Sequence, residues 1–294
     1  MKVLVFGSLN IDYIYKLEHI VMPNETIKSV KCEVSPGGKG LNQAMAFAKT
    51  GLPVYMASNL GKNGEVLENA LLSGNVDCSL LNHVDEDSGE AIIQVDEEGN
   101  NAIIVCGNCN EHISEEYVHS VISQFGQGDV LVIQNEINHL ALIIEEAKAA
   151  GLVIVFNPSP YNHVIASLPM DKIDYLFINE VEGRQLSGSE NEKEITQHLL
   201  KQYPTMKVVL TLGERGAVYA DATQYVYEPA IKSEVVDTVG AGDTFTGYFI
   251  YGMLNNQSVE ECLKMATTAS SIVISRHGAG NSIPTLVEVE QVLM

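Results

Sequence analysis

The chain has 294 residues, enough for one large α/β domain or two smaller ones with a substantial core. Its 38 acidic against 17 basic residues give a formal charge of −21 with no basic cluster, a balance that repels polyanions and excludes nucleic-acid binding. No apolar run is long enough to cross a bilayer, Met1-Lys2 leads into Val3 without a signal-peptide pattern, and the five cysteines are odd in number and scattered, so neither membrane insertion nor a disulfide framework is expected, and the protein is read as cytoplasmic.

Val3 to Phe6 reads as a first strand, followed by Gly7-Ser8-Leu9-Asn10-Ile11-Asp12. Gly7 stands alone, without the further glycines of a dinucleotide fingerprint. On extended backbone Asn10 and Asp12 project from one side, which suits a polyhydroxylated ligand and equally an Asx-rich strand ending. Segments Ile11 to Glu33 and Gly89 to Val105 alternate apolar and polar residues, with a hairpin turn at Glu97-Glu98-Gly99-Asn100, and are expected to pair as one small projecting sheet. Between them, Pro36-Gly37-Gly38-Lys39-Gly40-Leu41-Asn42-Gln43-Ala44 reads as a glycine turn before a helix over Gln43 to Lys49. Its spacing is not that of a P-loop, and alone Lys39 would be a solvated lysine. Cys106-Gly-Asn-Cys109-Asn-Glu-His112 invites a zinc reading but lacks a second ligand pair.

Asp129 to Gln134, Leu152 to Phe156, Ile173 to Ile178 and Val208 to Leu212 are short, β-branched and nearly continuously apolar, as strands buried on both faces are. Leu140, Ile143, Ile144 and Ala147 recur at helical spacing, Gly151 closes that helix, and the first two strands with it form a βαβ unit. Ser258 and Glu261 form a capping box opening another helix. The pattern predicts a mostly parallel sheet flanked by helices, with ligands beyond the C-terminal strand ends.

Asp237-Thr238-Val239-Gly240-Ala241-Gly242-Asp243-Thr244-Phe245 packs a glycine turn, a helix start and a carboxylate into one stretch. Unpaired N–H groups before a helix hold negative charge, and Asp243 beside them can take a hydroxyl proton, a combination that suits phosphoryl transfer. A glycine loop capped by Asp explains the same residues.

Taken with Pro36 to Ala44, about 200 residues earlier, this string resembles the paired signatures of the ribokinase and phosphofructokinase-B family of sugar and nucleoside kinases, and the resemblance runs from Val3 to Pro284. It implies a single ribokinase-like domain over 1–294 with a lid at 11–33 and 89–105, often shared between two subunits as a homodimer. It implies an ATP-dependent kinase acting on the primary hydroxyl of a furanose such as D-ribose. In that family's pattern Asp243 is the base, the three amides from Ala241 through Gly242 to Asp243 form the anion hole, and Gly240 belongs to the same catalytic turn. Asn10, Asp12, Gly38, Lys39, Asn42 and Glu136 hold the sugar. Asn179 of Asn179-Glu180-Val181-Glu182, with Thr211, Gly213, Gly216 and Gly242, serves the nucleotide, and Glu182 organises Mg2+ through water. Carbonyls near Asp237, Val239, Val273, Arg276, Gly278 and Ser282 in the loop containing Ala279 match a K+ site. The acidic chain must compensate the charge of ATP locally.

The chain departs from the family at Leu41, where alanine is usual, and at Gly61-Lys62-Asn63-Gly64 with Asn59 before it; these are expected to flank the sugar. A nucleoside or other sugar kinase is the alternative, disfavoured because Ala91 and Ile93 are too small to stack a base. An idle sugar-binding regulatory protein on the same scaffold is the other.

Overall fold

The computed structural model describes residues 1–278 and 280–294. The first half runs β1 (Val3–Phe6), β2 (Asn10–Lys16), β3 (Lys31–Gly37), α1 (Lys39–Lys49), β4 (Val54–Leu60), α2 (Glu65–Ser73), β5 (Leu81–His83), β6 (Gly89–Val95) and β7 (Asn101–Cys106). There follow α3 (Glu115–Ile122), β8 (Val130–Gln134), α4 (Leu140–Ala150), β9 (Val153–Asn157), β10 (Tyr175–Asn179), α5 (Glu180–Ser187) and α6 (Glu192–Gln202). The last are β11 (Lys207–Thr211), β12 (Ala217–Ala220), β13 (Tyr225–Glu228), α7 (Ala241–Leu254), α8 (Val259–Ile274) and α9 (Leu286–Leu293).

The larger sheet has the order β13-β12-β11-β10-β9-β8-β1-β4-β5, with only β12 running against the others. Period-two geometry explains why its strands are apolar throughout. Val3 and Val5 of β1 enter the core on one face, and Leu4 and Phe6 enter the core on the other. From β1 the chain first builds outward through β4 and β5, then returns to lay β8 on the opposite side. A crevice therefore opens past the carboxyl ends of β1 and β8, where Phe6 pairs with Ile133.

The second sheet, β3-β2-β6-β7, is the lid expected from the two alternating segments, and β2 and β6 pair in parallel although far apart in sequence. Asp96 closes its hairpin by accepting the Asn100 amide at 2.8 Å. Asn10, Gly37 and Gly89 share one face with Asp12, Ser35, Ala91 and Val105, so that face turns its polar end toward the crevice.

Helix α7 is anchored by Phe245 and Phe249, one turn apart. Phe249 packs edge-on against Phe177 of β10 and stacks on Tyr219 of β12 at ring-centre distances of 5.6 and 5.9 Å. Gly247 on the adjoining face lets α1 approach, because a Cβ there would lie 2.8 Å from that of Ala46. The capping box at Ser258 and the C-cap at Gly151 form as expected. Helix α1 does not begin at Gln43: it starts four residues earlier, at Lys39, and the expected turn shrinks to Gly38. The reason is long-range. Ser8 accepts the amides of Gly40 (3.3 Å, side chain) and Leu41 (3.2 Å, carbonyl), supplying partners that glycines cannot.

Candidate active site

At the crevice, Glu136 lies two residues past β8 and faces the loop after β1. Its Oε2 accepts the Ser8 hydroxyl and, at 3.2 Å, the Lys39 amide. Burial raises the Glu136 carboxyl above its ordinary range, against the pull of the Lys39 charge. Burial alone would lower Lys39, but Asp243, Glu136 and Glu182 together outweigh it and hold its ammonium charged. Lys39 thus senses carboxylates from both ends of the cleft and is not the solvated lysine its local sequence suggests.

Asn10 is buried, and its Oδ1 accepts a 2.8 Å bond from Asn110 Nδ2. Asn110 also bonds the Leu9 amide and carbonyl, both at 3.2 Å. Asp12 lies over Gly37, where a Cβ would come within 2.0 Å of its carboxylate. Burial first, then the Glu136 charge, raises Asp12 from 3.8 to about 7.

Gly240 caps α7 in the left-handed conformation, φ 78°, which a side chain would resist, and no side chain caps this helix. The amides of Gly242 and Asp243 have no acceptor among the described residues, whereas that of Ala241 reaches back to the Thr238 carbonyl at 3.4 Å. The open end of the helix is therefore narrower than the expected trio of amides. Gly242 has ordinary helical φ; a Cβ there would meet nothing within 4 Å, so the residue leaves the amides accessible. Asp243 is 8 % exposed, and both its oxygens are held. Asn42 Nδ2 donates to Oδ2 at 3.3 Å and Gln43 Nε2 to Oδ1 at 3.0 Å.

Across the cleft, Asn179 caps α5 in a capping box with Glu182. Glu182 is buried, which raises its carboxyl, and its oxygens accept the Ser159 hydroxyl and the Asn179 amide. Thr211 pairs with Asn179 across adjacent strands, and Gly213 and Gly216, both at positive φ, turn the chain beside them. The loop before α7 is tied to the end of α8: the Val236 amide donates to the Ile274 carbonyl at 2.7 Å and the Gly278 amide to Asp237 Oδ2 at 3.1 Å. Val239 adjoins through its amide, bonded to Asp237 Oδ1. Val273 lies inside α8 rather than in a loop, and its carbonyl accepts the Arg276 amide. The Ser282 carbonyl accepts the Arg276 guanidinium at 3.3 Å. Ala279 of this loop lies outside the described residues.

Hydrogen bonds and charge thus bring Asn42, Lys39, Glu136 and Glu182 into the neighbourhood of Asp243. Of the departures from the family pattern, Leu41 is core, and Asn59 bonds the Cys109 and His112 carbonyls at 3.0 and 3.1 Å. Gly61 abuts Ser88 at the base of the lid. In the Cys106 to His112 segment the working residue is Asn110. Sequence reasoning passed over Asn110, Ser8, Gln43 and Gln134; the only available signal for Gln43 was its place beside Asn42 in the glycine motif. A cavity of about 660 Å³ extends from Asn10 and Glu136 away from Asp243, walled in part by Ile137, Leu140 and Val164.

Open helix amides and a seated carboxylate beside a roofed, hydroxyl-binding cleft define a phosphotransferase for small polyhydroxylated molecules. The pfkB family carbohydrate kinase model matches residues 1–286, and the chain belongs to that family. It is 33 % identical to the ribokinase of Lactococcus lactis over 98 % of this chain and 96 % of that protein. Arabidopsis thaliana ribokinase complexed with ribose and ATP superposes with TM-score 0.88 at 29 % identity, covering 99 % of this chain and 98 % of that one. Cryptococcus neoformans ribokinase in complex with ADP gives TM-score 0.86 at 31 % identity, covering 99 % of each chain.

Proposed function

We propose that this carbohydrate kinase transfers the γ-phosphoryl group of ATP to the primary hydroxyl of D-ribose, with Asp243 as general base. The observation that carries the reading is the meeting of Asp243, at the open start of α7, with Asn42 of the glycine motif. Asn10, Asp12, Asn42 and Glu136 would bind the sugar hydroxyls, Gly38 the chain turn beneath it, and Lys39 the charge passing between sugar and nucleotide. The free amides of Gly242 and Asp243 would stabilise the transferring group.

Asn179, Thr211, Gly213 and Gly216 would hold the nucleotide. The oxygens of Glu182 already accept two protein donors, so it fits a magnesium ion through water better than by direct contact. That ion would neutralise phosphate charge. The hydrogen-bonded junction of the Asp237 and Gly278 segments fits a potassium ion, although the Val273 and Ser282 carbonyls already accept bonds within the protein. Ile14, Ile93, Ile103 and Val105 continue the sugar-facing side of the lid as an apolar stripe, with Ile103 53 % exposed, which fits a homodimer joined through the lids. A second reading, a nucleoside or other substituted sugar as acceptor, draws on the cavity beyond Asn10, whose apolar wall lies outside the lid residues Ala91 and Ile93.

The test is ADP release on a panel of sugars and nucleosides, with Asp243→Asn alongside. Ribose should lead, and the variant should lose at least about 100-fold in turnover with sugar and ATP affinities little changed. Absence of turnover on every acceptor, or near-normal turnover in Asp243→Asn, refutes it.

A further inference from the structure

Behind Asp243 runs a buried chain of side-chain amides that touches no cleft surface. Gln43 and Gln134 are both fully buried. An ionised carboxylate only accepts hydrogen bonds, so the group that Gln43 presents to Asp243 Oδ1 at 3.0 Å must be its NH2. Its carbonyl oxygen then points away and needs a donor, which Gln134 Nε2 supplies at 2.7 Å. Each amide is thereby oriented by the one before it, and the deficit is pushed to the far end. Gln134 Oε1 is buried without a partner among the described residues, pressed against Gly7 at the end of β1, where a Cβ would lie 2.0 Å away. An unmade hydrogen bond in a core is costly, and an apolar side chain of similar shape would avoid it. The one hydrogen bond the Gln134 side chain makes among the described residues runs inward, to Gln43 and through it to Asp243.

We infer that Gln43 is a positioning residue for phosphoryl transfer, with Gln134 as its support; the inference rests on the reading of Asp243 as base. Gln43 comes from α1 and Gln134 from the last position of β8, two rigid elements, so Oδ1 is clamped from behind. Oδ2, with only the longer 3.3 Å bond from Asn42, is the oxygen left to face the sugar hydroxyl. The Oδ1 of Asn42 has no partner among the described residues, so Asn42 can turn to the sugar while Gln43 keeps the carboxylate in place.

Gln43→Met keeps length and volume and removes the donor. Turnover should fall about 10- to 100-fold while KM for sugar and for ATP stays within about 3-fold. Gln134→Met should give a smaller loss of the same kind. In an Asp243→Asn background Gln43→Met should cost nothing further, since the carboxylate it serves is gone. A residue that merely packed the core would keep turnover as Met, or would multiply its loss with that of Asp243→Asn; either result overturns the inference. If Asp243→Asn itself retains turnover, the base assignment fails and this inference with it. Should Gln43→Met not fold, Gln134→Met with calorimetric sugar binding decides: intact binding with unchanged turnover refutes the support.

Discussion

Replacing Asp12 by Asn should stabilise the sugar-free protein by an amount that grows with pH. The Asp12 carboxyl is raised from 3.8 to about 7, by burial under the lid first and then by Glu136. That displacement corresponds to about 4 kcal/mol, and water reaching the cleft mouth lowers the expected effect to about 2–3 kcal/mol. Below about pH 4 the carboxyl is protonated in folded and unfolded chains alike and contributes no difference. Between about pH 4 and 7 the unfolded chain gives up this proton and the folded one keeps it, so wild-type stability falls as pH rises. Above about pH 7 both are ionised and the penalty is constant. Asn carries no such proton. Urea unfolding of wild type and Asp12→Asn at several pH values measures the difference, which includes the response of the coupled Glu136, while Glu182 cancels as common background. A difference that stays flat from about pH 4 to 8.5 refutes the buried-carboxylate argument. Because ionised Asp12 accepts hydroxyl donors more strongly, wild-type KM for the sugar should also drop as pH passes about 7, a dependence the variant should lack.

Gly247→Ala should cost about 1–3 kcal/mol in thermal stability and lower turnover, because its methyl forces α1 from α7 and loosens the Asn42 and Gln43 bonds to Asp243. Unchanged melting and turnover would mean that the helices yield freely. Potassium should raise turnover or tighten ATP relative to sodium at matched ionic strength, by ordering the Asp237–Gly278 junction; identical kinetics count against the ion. In sedimentation the wild type should run as a dimer and Ile103→Asp as a monomer with weakened sugar affinity; a monomeric wild type removes the shared lid.

Short-range physics made much of this protein legible. Continuous apolar, β-branched runs marked β8 to β11, period-two alternation marked the lid segments, turn chemistry marked the hairpin turn at Glu97 to Asn100, and caps at Gly151 and Ser258 marked helix ends, because each depends on residues a few positions apart. The second glycine string likewise located the helix start that carries Asp243. Other features depended on contacts that close only on folding. Helix α1 begins at Lys39 because Ser8 and Glu136 satisfy its first amides, and no propensity in Gly38-Lys39-Gly40 announces that. Asp12 is an unremarkable strand carboxylate until the lid and Glu136 desolvate it. Gln43 stands 200 positions from Asp243 and 91 from Gln134, and a hydrogen bond across such separations leaves no periodicity in the chain. The sequence by itself determined which residues could do the chemistry; the tertiary structure decided which of them are buried, charged and clamped, since desolvation and pairing are properties of neighbours in space.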